Sequence, residues 1–260
     1  MYEEAAPPGP LAGVARCVWR SASEGPKRIV PDGCLDLVVG DGGVFVAGPD
    51  TAAWSSATRP GVELRGVRFA PGRAPAVLGL AADELRDRRV SLRELWGRPG
   101  EELAERLLSG ELSPAQAVAS RLAEAPPPDP AVAALIARLD AGAARVAEAV
   151  TRPGASRAAP GVAAARVEDL FAVSERRLRR RFVQAVGYGP ATYLRVTRFQ
   201  RAVALAPRVP GLAALAAAAG YADQAHLSRD CRALTGLTPR AYFRGPSTVD
   251  ETVRDRLRSA

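Results

Sequence analysis

The feature that most constrains this chain is a helix, a glycine turn and a second, capped helix within residues 211–244. Gly220 supplies the turn, because glycine enters the left-handed region without a Cβ clash. Asp223 is the expected N-cap of the second helix, and Gly236 marks its end. Apolar residues recur at helical spacing along that helix, and are expected in the core: Leu227, Cys231 and Leu234. This order predicts a helix-turn-helix, whose second helix fits the DNA major groove.

A second copy of the pattern lies upstream, in residues 161–200. Ser174 is the expected N-cap, and Leu178 with Phe182 forms the inward stripe at i and i+4. The remaining faces carry a run of arginines, which are candidate DNA contacts: Arg176, Arg177, Arg179, Arg180 and Arg181. A helix expected at about 190–206 separates the two units by roughly 24 Å. With helix widths added, the recognition helices would lie about one DNA turn apart, roughly 34 Å.

Basic residues are concentrated in the segment that carries these two motifs. Residues 150–245 hold 16 Lys and Arg against 5 Asp and Glu, whereas residues 1–149 hold 17 against 20. Such localisation is the electrostatic footprint of a phosphate-binding surface. The alternative interpretation is a general use of arginine as a solvating residue. Because the net positive charge lies in the same segment as the paired motifs, a DNA-binding surface is favoured over this alternative.

Residues 157–245 resemble the DNA-binding domain of the AraC/XylS family of bacterial transcription regulators, most specifically in GYADQAHLSRDCRALTGLTPRAYFR. The resemblance implies a sequence-specific transcription factor, not an enzyme, that binds duplex operator DNA in successive major grooves. The first unit would contact DNA through Arg176, Arg179 and Arg180. The second unit would use Gln224, Ala225, Ser228 and Arg229, with His226 and Arg232 beside them. The chain departs from the family at Glu168, where alanine is usual, and at Ala172, where glycine is usual.

Composition divides the chain into two domains and predicts an α+β protein. The segment APPPDP at 125–130 cannot be helical and marks the boundary. The expected organisation is a β-rich sensor or dimerisation domain at 1–125, a proline-rich linker at 126–130, an all-α DNA-binding domain at 131–245 with helix-turn-helix units at 161–187 and 211–236, and a tail at 246–260.

The N-terminal half begins with strands and continues with helices. Residues 35–49 read as a hairpin around Asp41-Gly42-Gly43, and residues 62–69 alternate as a half-buried strand. We expect a small β-sheet domain, cupin-like or related, with trailing helices, similar to a recurrent N-terminal domain of the AraC/XylS family. That similarity covers residues 15–125 and names no ligand. The amphipathic segment 101–108 is suited either to a dimer contact or to covering the domain's own sheet.

The polar residues of this half suggest a binding site more than a catalytic one. The single histidine, His226, lies elsewhere, which excludes a histidine-dependent triad or a histidine-rich metal site in residues 1–125. Asp32, Cys34 and Asp36 would share one side of a strand, either as a ligand or thiol-sensing site or as a capped turn with a buried cysteine. Three tryptophans could line a pocket or fill the core: Trp19, Trp54 and Trp96. We expect an uncharged or weakly polar effector, with no metal and no cofactor.

Two other classes of function stay open at this point. Cys34 could accept an alkyl group in a DNA-tethered repair-like enzyme, which would need Lys27 or Arg28 to lower the thiol pKa. A nonspecific architectural DNA binder would bind all sequences alike. No run of eighteen apolar residues and no secretory signal is present, and three cysteines are too few for a disulfide framework, so we expect a cytoplasmic protein. Contact with RNA polymerase and homodimerisation are left open.

Overall fold

The computed structural model describes residues 2–22, 25, 27–56, 58–151 and 175–244. Eight strands and a few short helices make up the described chain to residue 91, and only helices follow in it. The protein is therefore α+β, with a β-sheet region at the N-terminus and a mostly helical C-terminal region, as predicted. The predicted start of the first helix-turn-helix, with Glu168, Ala172 and Ser174, and the tail at 246–260 lie outside the described residues.

Six strands form one antiparallel sheet in the order β1-β2-β7-β4-β5-β8, and β3 pairs separately with β6. The strands are β1 (Tyr2–Ala5), β2 (Ala15–Ala22), β3 (Arg28–Ile29), β4 (Asp36–Gly40), β5 (Gly43–Ala47), β6 (Trp54–Ser55), β7 (Glu63–Phe69) and β8 (Arg89–Ser91). The predicted hairpin is β4–β5. Both of its turn residues, Asp41 and Gly42, have positive φ angles, 51° and 75°, as a tight hairpin turn with the twist of the flanking strands requires.

Short helices cover one face of this sheet: α1 (Ala74–Leu78), α2 (Leu92–Trp96), α3 (Arg98–Leu108) and α4 (Pro114–Leu122). Two of them begin with a capping box, in which Ser91 accepts from the amide of Glu94 and Ser113 from that of Gln116. Leu107 is fully buried and Leu103 packs against the same core. Of the two uses open for residues 101–108, the structure shows the covering of the domain's own sheet.

The C-terminal region contains α5 (Pro130–Thr151), α6 (Glu175–Val186), α7 (Pro190–Leu205), α8 (Leu212–Ala219), α9 (Gln224–Thr235) and α10 (Pro239–Arg244). Gly220 and Gly236 end α8 and α9 with φ angles of 84° and 73°. Asp223 caps α9 by accepting a 2.6 Å hydrogen bond from the amide of His226. These local predictions are confirmed, because each depends on residues close together in sequence.

One apolar core joins these helices and extends into the N-terminal region. The inward residues of both recognition helices are buried in it, as predicted: Leu178, Phe182, Leu227, Cys231 and Leu234. Val30 is also part of this core, and Ala53 packs against it. The 3-10 helix Ala82–Leu85 contacts α6. The N-terminal region is therefore packed directly on the helix-turn-helix units.

Gly187 permits this close packing and gives a test of it. Its φ is +95°, and a Cβ there would overlap Cγ of Pro49. Gly79, which ends α1 in the left-handed conformation, also has a positive φ, +79°, but a Cβ there would meet nothing within 4 Å. Both alanine variants should lose about 1–2 kcal/mol of unfolding free energy, because a residue with a Cβ is strained in the left-handed conformation. Gly187→Ala should lose about 1–3 kcal/mol more, because its Cβ also overpacks the contact with Pro49. Denaturant unfolding measures both, and equal losses would contradict tight packing between the two regions.

Candidate nucleic-acid interface and N-terminal polar cluster

Helix α9 presents a polar face to solvent while its apolar face is buried. Leu227, Cys231 and Leu234 have no exposed surface, and four of the predicted DNA contacts on the opposite face are exposed: Gln224, Ala225, Arg229 and Arg232. Ser228 is partly buried, and its hydroxyl donates to the carbonyl of Gln224 at 2.8 Å. The buried stripe holds the helix in place, so its exposed side chains are free to meet another molecule.

A cleft of about 470 Å³ runs beside this face, between α8, α9 and the start of α10. Gln224, Ser228 and Arg232 line it together with Thr238 and Arg240. The last two residues were not singled out from the sequence. The available signal was their position at the start of a helix directly after the Gly236 cap, where a cation and a hydroxyl can reach a bound phosphate.

His226, predicted to lie beside the DNA contacts of α9, also contacts residues outside this helix. Its ring packs edge-on against Tyr221, with 5.0 Å between centroids, and Nε2 lies 3.3 Å from Nη1 of Arg198 on α7. The same nitrogen is 3.9 Å from the carboxylate of Asp230. Burial raises the pKa of the Asp230 carboxyl, although His226 and nearby arginines act in the opposite direction. His226 therefore links α9 to α7, which a helical wheel of α9 alone does not reveal.

Helix α6 exposes four of the five arginines predicted for the first unit: Arg176, Arg177, Arg179 and Arg180. Arg181 differs, because it is partly buried and its Nη2 lies 2.5 Å from Oδ1 of Asp129. Asp129 also accepts from the amide of Ala131 in the first turn of α5. Arg181 thus links α6 to the start of α5, and its assignment as a DNA contact stays a prediction. Its periodicity placed it at the edge of the exposed face and could not show this partner.

The long helix α7 separates the two units, as predicted. Its 16 residues span about 24 Å. It buries a stripe on its core side: Tyr193, Val196, Phe199, Ala202 and Val203. A helix anchored along its length is a rigid spacer between the recognition helices.

Asp32, Cys34 and Asp36 lie together, and Arg68 forms ion pairs with both carboxylates. Nε of Arg68 is 3.2 Å from Oδ2 of Asp32 and 3.2 Å from Oδ1 of Asp36. Asp32 Oδ1 accepts from the amide of Cys34 at 3.0 Å, which is the capped turn considered above. Cys34 is buried, and burial raises its thiol pKa to about 12. Arg68 was missed, although its strand, 62–69, was predicted.

Two of the three candidate tryptophans, Trp19 and Trp54, each donate to an aspartate in or beside this cluster. Nε1 of Trp19 lies 2.7 Å from Oδ1 of Asp36. Nε1 of Trp54 lies 3.0 Å from Oδ2 of Asp50, whose two oxygens also accept from Arg89 at 2.7 and 2.6 Å. The Arg89 guanidinium stacks 3.9 Å above the Trp54 ring. Burial raises the pKa of Asp50 to about 6 despite the neighbouring guanidinium.

A cavity of about 40 Å³ lies inside this cluster, lined by the three aspartates, Cys34, Trp54, Arg68 and Arg89 among others. At about 10–15 Å³ for one water, it holds roughly three. Its lining is ionic, whereas the sequence suggested a site for a weakly polar ligand. The arginines that make the difference come from β7 and β8, far from residues 32–36 in sequence. Ile29, Val30 and Trp54 also line it, which places it next to the β3–β6 sheet.

The part of the chain described by the structure contains no group of three or more His, Cys, Asp or Glu arranged to hold a metal ion. Nor does any helix within those residues have both the length and the apolar character needed to cross a bilayer.

Comparison with known proteins matches residues 168–245 to a helix-turn-helix domain and residues 3–91 to a domain of unknown function (DUF6597). Among solved structures, ToxT from Vibrio cholerae is similar, with 9% identity, a TM-score of 0.38 and coverage of 95% of this chain and 99% of that chain. ToxT from Vibrio cholerae O395 bound to (E)-4-(8-methylnaphthalen-1-yl)but-3-enoic acid gives 9% identity, a TM-score of 0.39 and coverage of 94% and 98%. A search of the curated proteins found no match.

The helix-turn-helix match covers the described segment in which the Gly220 turn, the Asp223 cap and the exposed faces of α6 and α9 occur. The C-terminal part of this chain is therefore a helix-turn-helix domain of the AraC type.

Proposed function

We propose that this protein is a sequence-specific DNA-binding transcription regulator that reads base edges with α9. The observation that carries the proposal is the exposed face of α9 above a fully buried stripe. In that face, Arg229 is suited to bidentate contact with guanine and Gln224 to contact with adenine. Ser228, Ala225 and Arg232 complete the proposed recognition surface.

In the first unit, α6 would add phosphate contacts and further readout. Arg176, Arg179 and Arg180 are exposed on one helix, and Arg177 lies at the edge of that face. Phosphate attraction supplies affinity without requiring the hydrogen-bond geometry of base recognition. The confinement of the net positive charge to residues 150–245 supports the same interface.

The competing repair-like activity requires a reactive thiolate at Cys34. The thiol is buried, its pKa is raised to about 12, and Asp32 adjoins it. Arg28, one of the cations considered as an activator, instead donates to the carbonyl of Thr235. These features favour a structural cysteine over a nucleophile.

We further propose that the cavity in the polar cluster of the N-terminal region binds an effector. Its size and ionic lining suit a small polar molecule with both donors and acceptors better than an apolar one. Occupancy would act on Ile29 and Trp54, which pair in the sheet that contacts α9.

Selection from random duplex DNA with the full-length chain tests the regulator proposal. At moderate salt, one sequence family should be enriched. Equal recovery of all sequences would instead identify a nonspecific architectural binder. The absence of any DNA binding would reject both interpretations.

Two arginine variants should separate base readout from phosphate contact. Arg229→Ala should reduce the free energy of binding to the selected sequence by about 1–3 kcal/mol and should weaken the base preference at one base pair. Arg177→Ala should weaken all sequences alike and reduce the slope of log affinity against log salt by about one. Titrations on selected and random DNA at several salt concentrations measure both. Equal loss on the two DNAs for Arg229→Ala would contradict its assignment.

Thermal-shift titration of the full-length chain tests the effector. A small polar solute that fits the cavity should stabilise the fold saturably, by about 2.7 kcal/mol at one hundred times its Kd. Apolar compounds of similar size serve as the control. Stabilisation by a divalent metal alone would contradict the proposed ligand class, and no response to any compound would favour a solvated ion cluster.

A further inference from the structure

The N-terminal region supplies hydrogen-bond donors to the end of recognition helix α9. Nη1 of Arg28 donates to the carbonyl of Thr235 at 2.8 Å, and the amide of Ala53 donates to that of Leu234 at 2.7 Å. Both carbonyls lie in the last turn of the helix, where intrahelical donors run out. A cation at this end also interacts favourably with the helix dipole. The contact is therefore a C-terminal clamp on α9.

The same part of the N-terminal region holds α7. The side-chain amide of Gln200 donates to the carbonyl of Pro31 at 2.7 Å. Between Arg28 and Pro31, Val30 is buried in the core that α7 and α9 share, and Ala53 packs against that core. The N-terminal region thus bonds both helices, and it constrains the angle between them.

This clamp leaves the proposed DNA-binding face free. Gln224, Arg229 and Arg232 remain exposed with the N-terminal region in place. The 12 residues of α9 span about 18 Å. The first-turn residue Gln224 is therefore far from the clamped end. The geometry suits positioning of the helix rather than occlusion of it.

We propose that Arg28 is a positioning residue for DNA recognition, acting with the Ala53 amide and Gln200 to hold α9 at the angle at which its exposed face reaches the bases. The inference rests on the proposed function. Base readout depends on the distance and direction of each hydrogen bond, whereas phosphate attraction tolerates small rotations of a helix. Loss of the clamp should therefore reduce sequence-specific binding more than nonspecific binding.

The test uses the full-length chain and the DNA sequence that the wild type selects. Arg28→Met removes the donor and retains the aliphatic stem, and Gln200→Met removes the bond to Pro31. Arg20→Met is the matched control: it also removes one positive charge, but the Arg20 side chain is 66% exposed and pairs with Glu3. Arg28→Lys keeps a cationic donor. Affinity, base preference at each position and salt dependence are measured for every variant.

Arg28→Met should bind the selected sequence about tenfold more weakly than Arg20→Met, the scale of losing one charge-assisted hydrogen bond. Arg28→Met should lose base preference only at the positions that α9 reads, which the Arg229→Ala variant identifies. The slope of its log affinity against log salt should equal that of Arg20→Met. Gln200→Met should also lower the affinity for the selected sequence, and Arg28→Lys should retain part of the affinity that Arg28→Met loses.

Three outcomes would overturn the inference: equal binding by Arg28→Met and Arg20→Met, tighter binding by Arg28→Met, or equal losses at all base positions and on random DNA. The last would indicate a fold-wide defect, which denaturant unfolding of the same variants would register. If the wild type selects no sequence, the proposed function itself fails, so the two failures are distinguishable.

Discussion

Helix α7 buries Tyr193, Val196 and Phe199 in a core that also receives the inward stripes of α6 and α9. Burial of one large apolar side chain contributes about 1.5–3 kcal/mol, so this core outweighs any single surface contact. It allows the opposite faces of two short helices to remain polar and arginine-rich. Without it, neighbouring arginines would repel one another with nothing to hold the helices in place. The proposed DNA interface therefore depends on apolar packing beneath it.

The N-terminal region shares that core through Val30 and Ala53. Hydrogen bonds surround this apolar contact. Their acceptors are backbone carbonyls at the end of α9 and at Pro31, which receive no hydrogen bond within a helix or sheet. A buried carbonyl without a donor is costly, so these bonds favour one docked arrangement over others that bury similar area. The position of α9 is thus tied to that of the β3–β6 sheet.

Charges buried beside this contact add a further constraint. Arg68 forms ion pairs with Asp32 and Asp36, and Arg89 pairs with Asp50. Removing one partner of such a pair leaves an uncompensated buried charge, at a cost of about 3–5 kcal/mol. The cluster is therefore rigid where it is paired, and the paired groups line its small cavity. The sheet that borders this cavity also clamps α9.

The sequence by itself determined the features that depend on neighbours within a few residues. The Gly220 turn, the Asp223 cap, the β4–β5 hairpin and the buried stripe of α9 all follow from backbone preferences and periodicity. Tertiary structure decided which distant partner each remaining side chain meets. Periodicity shows the direction of a side chain on its own element, but it cannot identify what packs opposite. For that reason only the fold revealed that Arg181 pairs with Asp129, that His226 packs on Tyr221, that Arg68 makes the aspartate cluster ionic and that Arg28 bonds the end of α9.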